Sequence, residues 1–356
     1  MRKLEISKLT PGMVIAENVM TLRNDLLYPE GYRLTAKAIT KLQFYSIPFI
    51  CVEDDNEPSS YVEPKPYSER VQNTFEFQRF ADEFKKDVHK LKNTFNDVVN
   101  KNSPLDINMM LEDTLALLNT SSQNVHIFDM INNMRQYDDT TYAHSINVAL
   151  ISNVLASWIG MEEQEILLAT QCGLLHDIGK LTIPNNIIKK PGELTAEEFN
   201  IMKTHAYAGY ELLSKHNLNP HILNAAMMHH ERFDGSGYPF GLKGEKIDVY
   251  ARIVSIADVY DAMTSRRIYR TAICPFKVIE TFEKEGLQKY DAQFILTFME
   301  NVLDTYIRSR VRLSDGRNGE VIMINRQKMS RPLIRSGSCY IDLSKEPDAV
   351  YVEEIL

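Results

Sequence analysis

Apolar residues recur along the middle of this 356-residue chain with the spacing of buried helix faces. Ile146, Ala149, Leu150, Val154 and Ile159 form one stripe between Ala143 and Ile159, as expected for side chains three or four residues apart on one helix. Ile166 to Leu175 predicts a second helix that runs directly into His176-Asp177. Thr195 followed by Ala196-Glu197-Glu198 is an N-cap with acids in the first turn, which predicts a helix that carries His205. Leu223 to His230 ends another helix, Asp234-Gly235-Ser236-Gly237 is a loop, and Val249 to Met263 is a strongly apolar helix with Asp258 inside it. Together these segments predict a helical core domain over residues 126–310.

Both ends of the chain have a different texture. Residues 1–60 predict a small mixed α/β module. Turns fall at Pro11-Gly12, Asn24-Asp25 and Pro29-Glu30-Gly31, a helix at Thr35 to Tyr45, and a strand at Ile47 to Val52. The stretch Glu53 to Pro66 is rich in Asp, Glu, Pro and Ser and suits a linker. Residues 61–125 predict a linker and helical connector in which Phe75, Phe77, Phe80 and Phe84 are scattered among polar residues. This region either joins domains, pairs with a second chain in a homodimer, or is a solvated helical linker. After Val311 the pattern predicts a small β-rich module over 311–356. A hairpin turns at Asp315 to Gly319, and strands follow near Ser338 to Asp342 and Ala349 to Val352. The chain as a whole reads as mainly α.

Composition narrows the function classes. The net charge is −8, a poor complement to a DNA or RNA polymer, so neither is expected as a partner, although a local basic patch can still hold a small nucleotide. Cys51, Cys172, Cys274 and Cys339 are far apart and form no Cys-x-x-Cys pair, which fits reduced thiols better than a disulfide framework. The sequence holds no apolar run long enough to span a membrane and no signal-peptide core at its start. A cytoplasmic protein is expected.

Seven residues stand out against this background: His144, His176, Asp177, His205, His229, His230 and Asp258. Successive helices each contribute one or two of them, which is how a helical bundle assembles a polynuclear metal centre. Carboxylates can bridge hard divalent cations, and neutral imidazole suits iron, manganese or zinc. Asp258 lies between Val254, Ile256, Ala257 and Val259, where an unpaired carboxylate is strongly disfavoured. His89, His126, His216 and His221 have no such company and read as ordinary surface or hydrogen-bonded residues.

The segments His176-Asp177-Ile178-Gly179-Lys180 and His229-His230-Glu231-Arg232-Phe233-Asp234-Gly235-Ser236-Gly237-Tyr238-Pro239 resemble the two signatures of the HD-GYP family, a branch of the HD-domain metal-dependent phosphohydrolases. Tyr142-Ala143-His144-Ser145 and the run Ala251 to Thr264 extend the resemblance over about residues 130–310. It implies an HD-type helical bundle that holds iron or manganese ions. It also implies hydrolysis of cyclic di-GMP to linear pGpG, or onward to GMP, by a metal-bridging hydroxide in bacterial second-messenger signalling. By position, the seven residues above would be the ligands, with Asp177 also catalytic. Lys180 would contact the scissile phosphate, against the alternative of a cation favoured by a helix end. Gly237, Tyr238, Arg267 and Arg270 match positions that shape and charge the nucleotide pocket, the alternative for Arg266, Arg267 and Arg270 being a solvated basic face. Some members carry an acidic third-metal ligand four residues before the first histidine. Here that position is Thr140, a poor ligand, with Asp138 and Asp139 on other helical angles, so two divalent ions are expected. The competing readings are a catalytically silent cyclic di-GMP receptor and an HD-type hydrolase of another cyclic dinucleotide or nucleotide.

Overall fold

The computed structural model describes residues 2–21, 26–45, 47–53, 71–101, 103–119, 125–134, 141–265, 273–337 and 339–356, with the side chains of Val125 and His126 excepted. Thr140, Arg267 and Arg270 lie outside the described residues. The chain divides into two compact units, 1–65 and 66–356.

In the first unit, β1 (Arg2–Glu5) pairs antiparallel with β4 (Phe49–Val52), and β2 (Val19–Met20) with β3 (Leu26–Tyr28). One helix, α1 (Ala36–Phe44), is capped by Thr35, whose hydroxyl accepts from the Ala38 N–H at 3.1 Å. Ile15, Leu34, Leu42 and Val52 fill its small core.

The second unit is mainly helical. Its first helices are α2 (Phe75–Lys101), α3 (Ile107–Leu118) and α4 (Val125–Met134). The site-bearing part follows as α5 (Thr141–Trp158), α6 (Glu163–Leu175), a 3-10 turn (Ile178–Thr182), α7 (Asn185–Ile188), α8 (Ala196–Lys203), α9 (His205–Leu213), α10 (Pro220–Met228) and α11 (Val249–Thr264). Next come α12 (Pro275–Thr281), a π turn (Phe282–Gly286), α13 (Leu287–Lys289) and α14 (Ala292–Asp304). Helix α5 is buried on almost every side, from Ala143 and Ile146 to Leu155 and Ala156. A helix apolar all round belongs at the centre of a bundle.

Helix α2 shows where the scattered phenylalanines of the connector go. Phe77, Phe80, Phe84 and Phe95 are buried in the same core as Ile146, Val254 and Phe298, whereas Phe75 is exposed. Its apolar face is therefore covered within this chain. The C-terminal sheet has the antiparallel order β8-β7-β6-β5-β9, built from β5 (Arg310–Leu313), β6 (Asn318–Met323), β7 (Leu333–Ser336), β8 (Cys339–Asp342) and β9 (Val352–Ile355). Strand β7 was not marked by the sequence pattern, and β9 starts at the residue where the expected strand ends. Glu283, in the π turn, accepts hydrogen bonds from the Ser330 N–H and hydroxyl and so ties the sheet to the bundle.

One expected helix is two. The helix capped by Thr195 stops at Lys203, and His205 opens α9. The Thr204 hydroxyl donates to the Ile201 carbonyl at 2.7 Å, and His205 Nδ1 takes the Met202 carbonyl at 2.7 Å. Such local side-chain bonds compete with the helical ladder and break it there.

Candidate metal centre

Four histidines are held in the same way. His176 Nδ1 meets the Gly173 carbonyl at 2.7 Å, and His205 Nδ1 meets the Met202 carbonyl at 2.7 Å. His229 Nδ1 lies 3.0 Å from the carbonyls of both Ala225 and Ala226, and His144 Nδ1 lies 2.7 Å from Asp261 Oδ2. Carbonyl and ionised carboxylate oxygens only accept, so each Nδ1 carries a proton and turns Nε2 the other way, as a lone pair whenever the ring is neutral. That tautomer is the one a metal-binding imidazole needs, fixed by its outer hydrogen bond.

The four Nε2 atoms converge on Asp177, a fully buried carboxylate. Its Oδ2 lies 3.3 Å from His176 Nε2 and 3.5 Å from His144 Nε2. Its Oδ1 lies 3.5 Å from His205 Nε2 and 3.6 Å from His229 Nε2. Asp177 thus belongs to two donor groups at once. One is His144, His176 and Asp177; the other is Asp177, His205, His229 and His230, with donor atoms within 4.8 Å of one another in each. Asp258 approaches both groups, 3.0 Å from His144 Nε2 and 3.7 Å from His230 Nδ1.

The donor set fits divalent cations. His176 Nε2 and Asp177 Oδ1 are buried with no hydrogen-bond partner among the described residues, a costly state for polar groups unless something else satisfies them. His205 Nε2 and His229 Nε2 face each other at 3.3 Å, lone pair to lone pair unless a cation lies between them. Burial lowers the pKa of His205 to about 4 and pushes His229 and His230 down as well. Burial alone would push Asp177 up, but its neighbours His176 and Lys180 hold it well below the usual carboxylate range. For His144, burial opposes the proton while Asp258 and Asp261 favour it, and the result is about 9. Ionised carboxylates among mostly neutral imidazoles leave the cavity negative and ready for cations.

Lys180 closes one side, its ammonium 2.5 Å from Asp177 Oδ2. The loop from Glu231 closes another. A Cβ at Gly237 would lie 2.4 Å from the Arg232 nitrogen and 2.5 Å from the His230 oxygen, so only glycine lets the loop fold back here. The Tyr238 N–H then reaches the His230 carbonyl at 3.2 Å, and its ring lies 4.7 Å from that of His230.

Two residues missed by the sequence reading support this frame. Asp261, one turn beyond Asp258 on α11, orients His144. Its signal was a second carboxylate in the same apolar helix. Glu231 is 2% exposed and accepts from the N–H groups of Phe240 at 2.7 Å and Leu242 at 3.0 Å. It pins the far side of the Gly-Tyr-Pro loop.

Comparison with known proteins agrees with this arrangement. The HD domain family matches residues 107–294, just over half the chain. A cyclic di-GMP phosphodiesterase of Pseudomonas aeruginosa is 34% identical over 57% of this chain and 49% of its own length. A cyclic di-GMP phosphodiesterase of Thermotoga maritima is 37% identical over 52% of each chain. A 3'3'-cGAMP-specific phosphodiesterase of Vibrio cholerae is 34% identical over 59% of this chain and 39% of its own. The chain thus spans about half the length of the curated relatives it matches, or less. It belongs to the HD domain family.

Proposed function

We propose that this chain is a metal-dependent phosphodiesterase that opens cyclic di-GMP to linear pGpG, with GMP as a further product. The observation that carries the reading is the set of imidazoles tied at Nδ1 and converging by Nε2 on one doubly shared carboxylate, Asp177. HD-domain phosphohydrolases bind divalent metals, and the mixed nitrogen and oxygen donors here favour iron or manganese. His144, His176, Asp177, His205, His229, His230 and Asp258 would hold two ions, one for each donor group around Asp177. The catalytic domain is placed at 126–310, with 1–60 as a regulatory module, 61–125 as the connector and 311–356 as a β-rich module. A homodimer through 61–125 would use the outward face of α2, since the apolar face is already buried.

When bound, a pair of divalent ions supplies Lewis-acid stabilisation of the phosphoryl oxygens and an activated water. The protein supplies the rest. Asp177 is ionised and acceptor-only, so it can orient the attacking water through a hydrogen bond at Oδ2. Attack on phosphorus in line with the leaving 3′ oxygen builds negative charge on the phosphoryl oxygens. Lys180 sits beside Asp177 with its ammonium in position to neutralise that charge. Gly237 and Tyr238 shape the mouth of the cavity, and we assign Arg267 and Arg270, which lie outside the described residues, to binding of the nucleotide.

Retention of all seven donors weighs against a silent receptor. The 3'3'-cGAMP-specific relative favours a hybrid cyclic dinucleotide as second substrate. Among the described residues no helix is long and apolar enough to cross a membrane, and we place the protein in the cytoplasm. The test is a product assay on a panel of cyclic dinucleotides with protein purified without oxygen and loaded with Fe(II) or Mn(II). Linear product from cyclic di-GMP supports the proposal, and no turnover of any member overturns it.

A further inference from the structure

We infer that Phe199 on α8 is a platform on which a purine base of the substrate stacks, an inference that rests on the phosphodiesterase reading above. Rings lead outward from the metal centre to this residue. His205 and His230 are 5.0 Å apart by centroid, His230 and Tyr238 4.7 Å, and Tyr238 and Phe199 6.1 Å. The last two rings meet at 81°, so the contact leaves much of Phe199 open, and the residue is 45% exposed.

Helix α8 contributes nothing to the core: none of its residues is buried. Phe199 is therefore not exposed through the imperfect burial of a core position. The helix is nonetheless firmly set. Thr195 and Glu198 form a capping box, and Lys190 ion-pairs with Glu198. A fixed surface helix that holds a half-exposed aromatic ring against the residue closing the metal centre has the form of a recognition element. The Lys203 ammonium lies 5.3 Å from the Phe199 ring centroid. The same spot thus offers a flat apolar face and a positive charge, the two things an anionic nucleotide needs. Base stacking on aromatic side chains is strong and tolerant of base identity. Phe199 would hold a guanine or an adenine equally, so it secures binding of purine cyclic dinucleotides without choosing between them.

The experiment compares wild-type, Phe199→Ala and Phe199→Trp proteins loaded with Mn(II). Alanine favours helices, so α8 persists in the first variant, which circular dichroism verifies. Phe199→Ala is expected to raise KM for cyclic di-GMP about tenfold with kcat within twofold, a change equal to about 1.4 kcal/mol of binding. Phe199→Trp restores a flat ring and is expected to return KM toward the wild-type value. An independent readout uses metal-free Phe199→Trp protein, in which cyclic di-GMP should quench the indole emission added over that of Trp158. Unchanged KM in Phe199→Ala, with wild type active, overturns the inference. If wild type turns over no cyclic dinucleotide, the phosphodiesterase reading falls by itself, and the emission titration alone decides on the platform: quenching upholds it, and no change overturns it.

Discussion

Gly179 follows His176-Asp177 by two residues and sits where the 3-10 turn meets α9. A Cβ placed on it would lie 2.0 Å from the His205 carbonyl oxygen and 2.5 Å from the Gly209 nitrogen. Both are backbone atoms, so no side-chain rotation can relieve the clash. Ordinary contact begins near 3.4 Å, so Gly179→Ala must push α9 away by about 1.4 Å at its first residue. Overpacking a core typically costs about 1–3 kcal/mol, and a rigid double contact belongs at the upper end, about 3 kcal/mol. For a unit of this size that is a fall in Tm of roughly 5 °C. The displaced residue is His205, a donor facing Asp177. A misplacement of about 1 Å can cost a hundredfold in rate, so metal uptake should fall along with stability. Differential scanning calorimetry of the metal-free protein and metal analysis after anaerobic loading check both. A variant with wild-type Tm and wild-type metal content would show that the turn and α9 do not pack as described.

Two further outcomes follow from buried carboxylates. Asp261→Ala leaves His144 Nδ1 without its 2.7 Å partner and should lower metal affinity by about 10–100-fold, read by chelator competition, while circular dichroism stays unchanged. Wild-type affinity would deny Asp261 its positioning role. Asp87, against Thr114, is pushed up to about 7 by burial, which the Thr114 hydrogen bond only partly offsets. Its unfolded value is near 3.8, so between about pH 4 and 7 the folded protein holds a proton that the unfolded chain releases. Stability should therefore fall as pH rises through this window and level off above it, by roughly 4 kcal/mol at most. Asp87→Asn should be more stable than wild type at pH 8 and no different near pH 4 in denaturant titrations. Equal pH slopes for the two proteins would contradict the burial argument.

The sequence displayed the set of donor residues because the chemistry is local: a histidine or aspartate inside or at the end of an apolar helix is conspicuous. The order of the helices that hold His144 and Asp258, or end just before Asp177 and His229, was legible for the same reason. The break at Thr204 was not, since it depends on a hydroxyl choosing a carbonyl over solvent. Helix α2 misled because its phenylalanines sit among charges, and only the folded chain shows most of them buried in one core with Phe298 and Val254. Glu231 hid inside a motif, and its task, holding two backbone N–H groups nine and eleven residues on, is invisible in a string of residue types. Strand β7 holds only four residues and has no distinctive alternation of its own.

The most direct test of the account is turnover by the protein itself. Purified without oxygen and loaded with Fe(II) or Mn(II), it should bind two ions per chain and convert cyclic di-GMP to pGpG. Asp177→Ala should abolish that conversion while leaving the circular dichroism spectrum unchanged. Protein that carries two ions, is folded, and leaves cyclic di-GMP intact would contradict the central claim.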